Sequence, residues 1–586
     1  MKRVLSLAVA ALMLVGITSC SSSSGLVTGS SITVAELHSA SSLNTDVASS
    51  AASEAVNAEI AHLTTASFYS VDQTGELIAN PGFGSVSIIK SSPFTVKYLL
   101  TGGAKWSDSE QITATDLLLS WAAATNLGKA KFNSSRLGSG LSLANGVPTI
   151  GDKNLSLTIE FARPVADYKT VLTVAVAAHA LAKVAFAGQN LDSKSGNDRV
   201  LNAIQTTNVA DLKTLAKTYR LAYQLKSSFS FSTDLGITSG AYQIEAASNL
   251  GLTLKANTSN VAMPSARVET IKLVFYSSPL AVVADLKAGQ VDLASLAPTA
   301  TDSSAAINTA LKATTSAGVT STLTGTSSIE TLVLNQAGGS SFANSSYGRS
   351  SSKTAGLKAL SVRQAFLSLV STSKIQSLVG ANQPVQDAKS FVFTPDSSYY
   401  QSSIQDSGVL AYQFADDQKA YNIVRKVGHR VEVRVLFDTN NPRAQIEYST
   451  LAEKANEVGF ALSNISTNDP NAVLQSGEYD VYLAPAIALG DSGTDLEQAL
   501  ASATGSQGAA DAVIIDALTG FATATDAVSR AALTKKIDGE LISTAYGLPL
   551  YQLPTIVASS KKFAKAPNLV DGSSLTAGYA TWNLAG

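Results

Sequence analysis

The chain has a single cysteine, Cys20, among 586 residues, so it cannot close a disulfide within itself. Its folded parts must be held together by packing. Charge is also sparse: Asp, Glu, Lys and Arg make up 15% of the residues, and the formal net charge is -2. No basic footprint able to displace counterions from nucleic acid is present, and no block of like charge forms a polybasic membrane patch. Nucleic acid is therefore not an expected partner. The four histidines, at 38, 62, 179 and 429, show no ligand spacing such as H-E-x-x-H, so no metal site is expected. No strand leads into a G-x-x-x-x-G-K-[ST] loop, so the chain is not expected to hydrolyse nucleotides or to carry a cofactor. After the first twenty residues no apolar run reaches membrane-spanning length. Hydrophobic residues are plentiful at 45%, enough for large cores and several domains.

Cys20 closes an apolar run, Val4 to Ile17, that follows the cationic start Met1-Lys2-Arg3. A charged start and a short apolar stretch fit an export signal better than a lasting transmembrane helix. Ile17-Thr18-Ser19-Cys20 resembles a bacterial lipobox, which implies a signal peptide over 1–19 and lipidation of Cys20 as the mature N-terminus. Losing Lys2 and Arg3 takes the 42 basic residues to 40, against 44 acidic ones. Residues 20–31, rich in serine and glycine, are expected to form a flexible tether between lipid and domain.

Ile32 to Leu37 alternates as a strand does, and Ser53 to His62 is predicted helical, with Val56 and Ile60 on one side. In Phe94 to Leu100 the even positions are apolar, as in a half-buried strand. Thr113 can cap a helix whose Asp116 returns a bond to the cap. Further strands are predicted at Leu155–Phe161, Tyr242–Glu245, Leu252–Ala256 and Ile271–Tyr276. A helical stretch is predicted at Tyr168–Ala187, with a polar segment at Gly188–Asp198. A Gly/Ser-rich loop at Gly338–Ser352 is placed at a domain edge. Helices follow at Ala359–Leu369 and Asp416–Val427, then a strand at Val431–Phe437 and a helix ending near Gly459. The mixture of α and β runs throughout.

A catalytic reading has one foothold. Gly490-Asp491-Ser492-Gly493 copies the nucleophile turn of trypsin-like proteases, and Ala177-Ala178-His179 loosely copies their histidine motif. Thr494 stands where a glycine should follow, His179 lacks the neighbouring cysteine, and the predicted helices do not suit a double β-barrel. The chain is not expected to be an enzyme.

The informative segment is Phe94 to Trp121, FTVKYLLTGGAKWSDSEQITATDLLLSW. Trp106, Asp108, Thr113, Ala114, Asp116 and Trp121 resemble the strand, acidic turn and x-T-A-x-D helix of the solute-binding proteins of ABC importers, oligopeptide, dipeptide and nickel class. Ser109 replaces the usual glycine. Other matches follow in the family's order. They include Ser42-Leu43-Asn44, Ser239-Gly240-Ala241-Tyr242, the run from Ile271 to Asp292, Val362-Arg363-Gln364-Ala365, Gly547-Leu548-Pro549-Leu550-Tyr551 and Trp582-Asn583.

The resemblance implies a two-lobed α/β periplasmic-binding-protein-like fold with an extra subdomain in the first lobe. The first lobe is expected over 32–328 with the subdomain at about 75–238, the second over 329–548, and a return to the first over 549–586. The crossings between lobes are expected at Ile329–Asn335 and Tyr546–Leu553. The implied function is capture of a peptide or similar small organic solute, and its delivery to an ABC permease at the extracytoplasmic face of a bacterial membrane. A monomer is expected.

Peptide binders of this family place a G-W-x-x-D-Y stretch after a Y-D-x-x-L strand. Here Tyr479-Asp480-Val481-Tyr482-Leu483 matches the strand, but Ala484-Pro485-Ala486-Ile487-Ala488-Leu489 follows, without the tryptophan or the aligned acid. Asp491 could substitute as the partner of a ligand amine, with Pro485 beside it; Asn44 and Asn335 are candidates for polar contacts near the hinge. The departure after Asp480 leaves open a second reading, a signalling or cell-wall-associated lipoprotein that keeps the fold without transport.

Overall fold

A computed structural model describes residues 25–47, 50–71, 77–259, 264–298, 302–380, 384–395, 397, 399–487, 493–509, 511–569 and 574–585. β1 (Val27–Glu36) opens the fold and is followed by helix Ala51–Thr64 and a hairpin of β2 (Tyr69–Val71) and β3 (Leu77–Ala79). β4 (Gly84–Ser91), β5 (Phe94–Leu100), β6 (Thr149–Gly151) and β7 (Ser156–Phe161) form an antiparallel sheet in the order β4-β5-β7-β6. Next come β8 (Tyr242–Ser248), β9 (Gly251–Ala256), β10 (Val268–Phe275), β11 (Leu293–Leu296) and the long β12 (Thr320–Leu334). β13 (Val431–Leu436), β14 (Phe460–Asn464), β15 (Val481–Ile487) and β16 (Gly547–Ser559) complete the set. With β1 these make one ten-stranded sheet, β14-β13-β15-β12-β16-β11-β1-β10-β9-β8.

Local sequence explains most of these elements. In β5, Phe94, Val96, Tyr98 and Leu100 are buried while Leu99 points outward, as alternation requires. The backbone N–H of Thr113 donates to Asp116 Oδ2 at 2.8 Å, closing the start of helix Ala114–Ala124. The second Asp116 oxygen accepts from Ala178 N at 2.8 Å, so this residue also joins two helices. Trp106, Leu117 and Trp121 are buried around it.

Several boundaries differ from expectation. β1 begins at Val27, inside the segment expected as tether, because Val27 pairs with Val268 and Ser30 Oγ accepts from Glu269 N. The helix expected at 168–187 is only Ala178–Ala185. Thr173 bridges Ser67, and the Val174 carbonyl accepts from Ser239 Oγ, so the preceding backbone is committed to other segments. The polar stretch 188–198 instead enters helix Ser193–Gln205, capped by Asp192 and packed through Val200, Ala203 and Ile204. Helix Lys353–Leu367 starts six residues before the expected Ala359 because Ser352 caps it, accepting from Ala355 N.

Two lobes meet at two crossing strands. The first half of β12 pairs with the second half of β16, from Thr320 opposite Ser559 to Gly325 opposite Pro554. The register then shifts, and Ile329 faces Gln552. Thr326 to Ser328 therefore bulge opposite Leu553, within the expected crossing 546–553 of β16. Gln552 Nε2 donates to the Thr326 carbonyl at 2.7 Å, and Thr326 Oγ1 donates to the Leu553 carbonyl at 2.9 Å. One core gathers around Trp106, Phe132 and Tyr98, another around Phe366, Phe437 and Tyr551. A third, smaller one lies where β1 and β11 meet the helices Pro279–Ala288 and Ser304–Lys312.

Residues after β16 bond to segments that precede β12. Glu59 accepts from Leu575 N and Thr576 N, each at 2.9 Å, and from Ser574 Oγ at 2.8 Å. Asp292 binds Lys562 at 2.8 Å and Ser560 Oγ at 2.9 Å.

Candidate solute site between the lobes

Strand direction points to a candidate site. β1 is parallel to β10 and β11, β11 is antiparallel to β16, and β16 is antiparallel to β12. Thus β1, β10, β11 and β12 all run from the first lobe toward the second. β15 opposes β12, and β13 is parallel to β15, so both run back toward the first lobe. The carboxyl ends of the two lobes' strands converge at the crossing. In open α/β sheets ligands bind outside those ends.

On the second-lobe side, Asn441 caps helix Pro442–Val458 just after β13, accepting from Arg443 N and Ala444 N, with Pro442 in the first turn where its missing N–H costs nothing. Arg443 and Glu447 lie four residues apart on this helix and face the crossing strands. Arg443 Nε donates to Glu330 Oε2 and Asn441 Nδ2 to Glu330 Oε1, both at 3.4 Å. Glu330 is fully buried on β12, in register with Pro485 of β15 and Tyr551 of β16. The Tyr551 hydroxyl donates to Glu447 Oε1 at 2.5 Å, while Glu447 Oε2 is buried without a hydrogen bond among the described residues.

Two buried carboxyls thus lie close together, and one of them, Glu330, is bonded to the Arg443 guanidinium. Burial pushes Glu330 up, against the pull of Arg443. Glu447 is pushed well above the ordinary carboxyl range, first by burial and then by the Glu330 charge. The Arg443 side chain is 24% exposed, and its terminal amino groups make no hydrogen bond among the described residues. A partly exposed guanidinium oriented from behind by a buried carboxylate is suited to a carboxylate or other planar anion.

The first-lobe side presents Glu36 at the end of β1, pushed well up by burial and by Glu59, with Oε1 buried and without a hydrogen bond among the described residues. Farther from the crossing, the lobes touch through Arg163, after β7, whose Nη2 is ion-paired with Glu497 of helix Gly493–Ser506. Thr519 Oγ1 donates to the other Glu497 oxygen at 2.9 Å, and Ala166 N donates to the Ala522 carbonyl at 2.8 Å.

The residues expected from sequence fall unevenly around this geometry. Pro485 is exposed on β15, in register with Glu330. Asn335 is buried, its Nδ2 donating to the carbonyls of Gly477 and Tyr479 and its Oδ1 accepting from Ala337 N. Asn44 is also buried, bonded to the Tyr219 carbonyl and Asp46 N. Both amides are committed to the backbone. Asp491 and Cys20 lie outside the described residues. His179, of the protease-like histidine motif, is buried and bonded to Asp108 at 2.9 Å.

Glu330, Arg443 and Glu447 were not singled out from sequence. Signals did exist: a lone acid in the apolar run Ile329–Leu334, and Asn441-Pro442 as a helix start directly after a strand. Among the described residues no group of three or more His, Cys, Asp or Glu is placed to hold a metal ion, and no helix is long and apolar enough to cross a membrane.

The sequence profile of bacterial extracellular solute-binding proteins, family 5, middle part, matches residues 91–510. The chain belongs to this family. A solved structure of a periplasmic EDTA-binding protein superposes with a TM-score of 0.71 at 17% identity, over 95% of this chain and 97% of that one. A putative peptide-binding protein from Clostridium difficile gives 0.65 at 15% identity, over 95% and 100%. The mixed α/β fold is that of these solute-binding proteins. An uncharacterized lipoprotein of Mycobacterium tuberculosis is 29% identical over 130 residues, covering 22% of this chain and 23% of its own length. The chain thus matches about a quarter of the length of that curated relative.

Proposed function

We propose that this family member captures a peptide or similar small organic solute between its lobes and delivers it to an ABC importer. The observation that carries the reading is the convergence of both lobes' strand ends at the crossing, where the terminal amino groups of Arg443 make no hydrogen bond among the described residues. A solute with a carboxylate fits that guanidinium. Lipidation at Cys20, with the tether before β1, would hold the protein at the extracytoplasmic face of the membrane, near its permease. The lipoprotein relatives support that placement, and the peptide-binding structural neighbour supports the solute class.

The test begins with protein expressed from Ser21 onward, analysed by native mass spectrometry for co-purified solutes and by thermal shift against di- to pentapeptides. Arg443→Ala is expected to weaken binding of a carboxylate-bearing hit at least tenfold, as loss of a charge-assisted bidentate contact worth about 1.5–3 kcal/mol requires. Amidating the peptide's C-terminus should have the same effect. Unchanged affinity in both would remove Arg443 from the site. Asp491→Ala examines the other end: if affinity for free and N-acetylated peptides is equal in wild type, Asp491 holds no amine.

A further inference from the structure

The two lobes are joined at the crossing strands, and separately where the loop after β7 meets the helices Gly493–Ser506 and Ala512–Thr523. The second junction is built from three kinds of contact. Arg163 is ion-paired with Glu497, with side chains 28% and 19% exposed. Thr519 Oγ1 fixes the remaining Glu497 oxygen at 2.9 Å, so the carboxylate is held from both sides. Ala166 N donates to the Ala522 carbonyl at 2.8 Å, and both residues are buried.

We propose that Arg163, Glu497 and Thr519, with the Ala166–Ala522 backbone bond, form a latch that holds the lobes together independently of solute. Every partner in it is a group of the chain, so its formation does not wait for a ligand. Opening the cleft exposes Arg163 and Glu497 together with the buried Ala166 N–H and Ala522 carbonyl, which must find water instead. The charged pair is only partly screened because more than two thirds of each side chain is covered. Arg163 Nη1 is buried without a hydrogen bond, so Glu497 is its guanidinium's one anionic partner among the described residues. Solute entry would then draw on a minor open population, and apparent affinity would be lowered by the fraction that is open.

The inference rests on the solute site only in placing it between the lobes, and it is tested without any solute. Protein expressed from Ser21 onward has no cysteine, so Ser87→Cys in the subdomain and Lys536→Cys in the second lobe give a unique spin-label pair on exposed positions. Dialysed wild type should show one short, narrow distance distribution at low salt. Glu497→Gln should shift the balance toward a longer distance about tenfold, with Arg163→Gln giving the same distribution. Thr519→Val, a milder change, should give a smaller shift in the same direction, and molar salt should move wild type toward the variants. If a charge variant does not fold, judged by its melting curve, Thr519→Val and the salt series decide the matter. A distribution unmoved by these variants and by salt, or already broad in wild type at low salt, would overturn the latch. Failure of peptide binding with an intact latch response would instead count against the proposed solute.

Discussion

Asp538 shows how one side chain can set a pH response far from any solute. It lies buried on helix Ala527–Ser543, its oxygens accepting from Ser390 Oγ at 2.6 Å and Phe391 N at 2.9 Å. Burial outweighs these bonds and pushes its carboxyl up to about 7. The folded chain therefore keeps a proton that the unfolded chain releases near pH 4, and this group's contribution is complete below that pH and fades as pH rises to about 7. Asp538→Asn should flatten that decline, on the order of 2–4 kcal/mol across the window. Urea unfolding of both proteins at pH 4.5 and 7.5 checks it, and equal pH slopes would refute it. At this scale the sequence is least legible. Asn44 and Asn335 are polar residues at telling places, yet both serve the backbone. Glu330 and Tyr551 become neighbours only when strands 221 residues apart in sequence pair, and no local pattern carries that information.

Among elements, strands with clean alternation could be read directly. Helix Ser193–Gln205 was hidden because Gly196, Asn197 and Asp198 dilute its apolar face. Its glycine has a tertiary reason: a Cβ at Gly196 would lie 3.0 Å from the His179 carbonyl oxygen. The crossing depends on a closer approach still, since a Cβ at Gly325 would come within 2.4 Å of the Gln552 side chain. Gly325→Ala should cost about 1–3 kcal/mol through that overlap. Gln552→Ala loses the bond to Thr326 but removes the obstacle, so the double variant should be markedly less destabilised than the sum of the singles. Additive chemical-denaturation energies would show that the two residues do not oppose each other. Glu59→Ala should cost about 2–4 kcal/mol, because it leaves the N–H groups of Leu575 and Thr576 without their acceptor inside the protein. A melting curve unchanged from wild type would mean that water replaces it.

For the whole molecule, the run of motifs from Ser42 to Trp582 made the family and its two-lobed architecture legible, whereas the convergence of strand ends needed the sheet order. The β12–β16 ladder binds the lobes into one sheet, so their stabilities should not separate. A chain stopped after Leu553 loses the partner of β11, the Asp292–Lys562 pair and the Glu59 contacts together. It should lose its cooperative melt and become sensitive to protease throughout residues 25–328. Survival of a resistant first lobe would show that the returning segment is dispensable.

The position of β16 also bears on how such a chain is made. It is the last of the sixteen described strands, yet it lies inside the sheet between β12 and β11. During synthesis the halves β14-β13-β15-β12 and β11-β1-β10-β9-β8 cannot be joined into one sheet until β16 has been made. A chain that leaves the cytoplasm N-terminus first must stay unfolded while it threads, and here the keystone is among the last parts to arrive. The order of the strands puts the joining of the two halves at the end of synthesis.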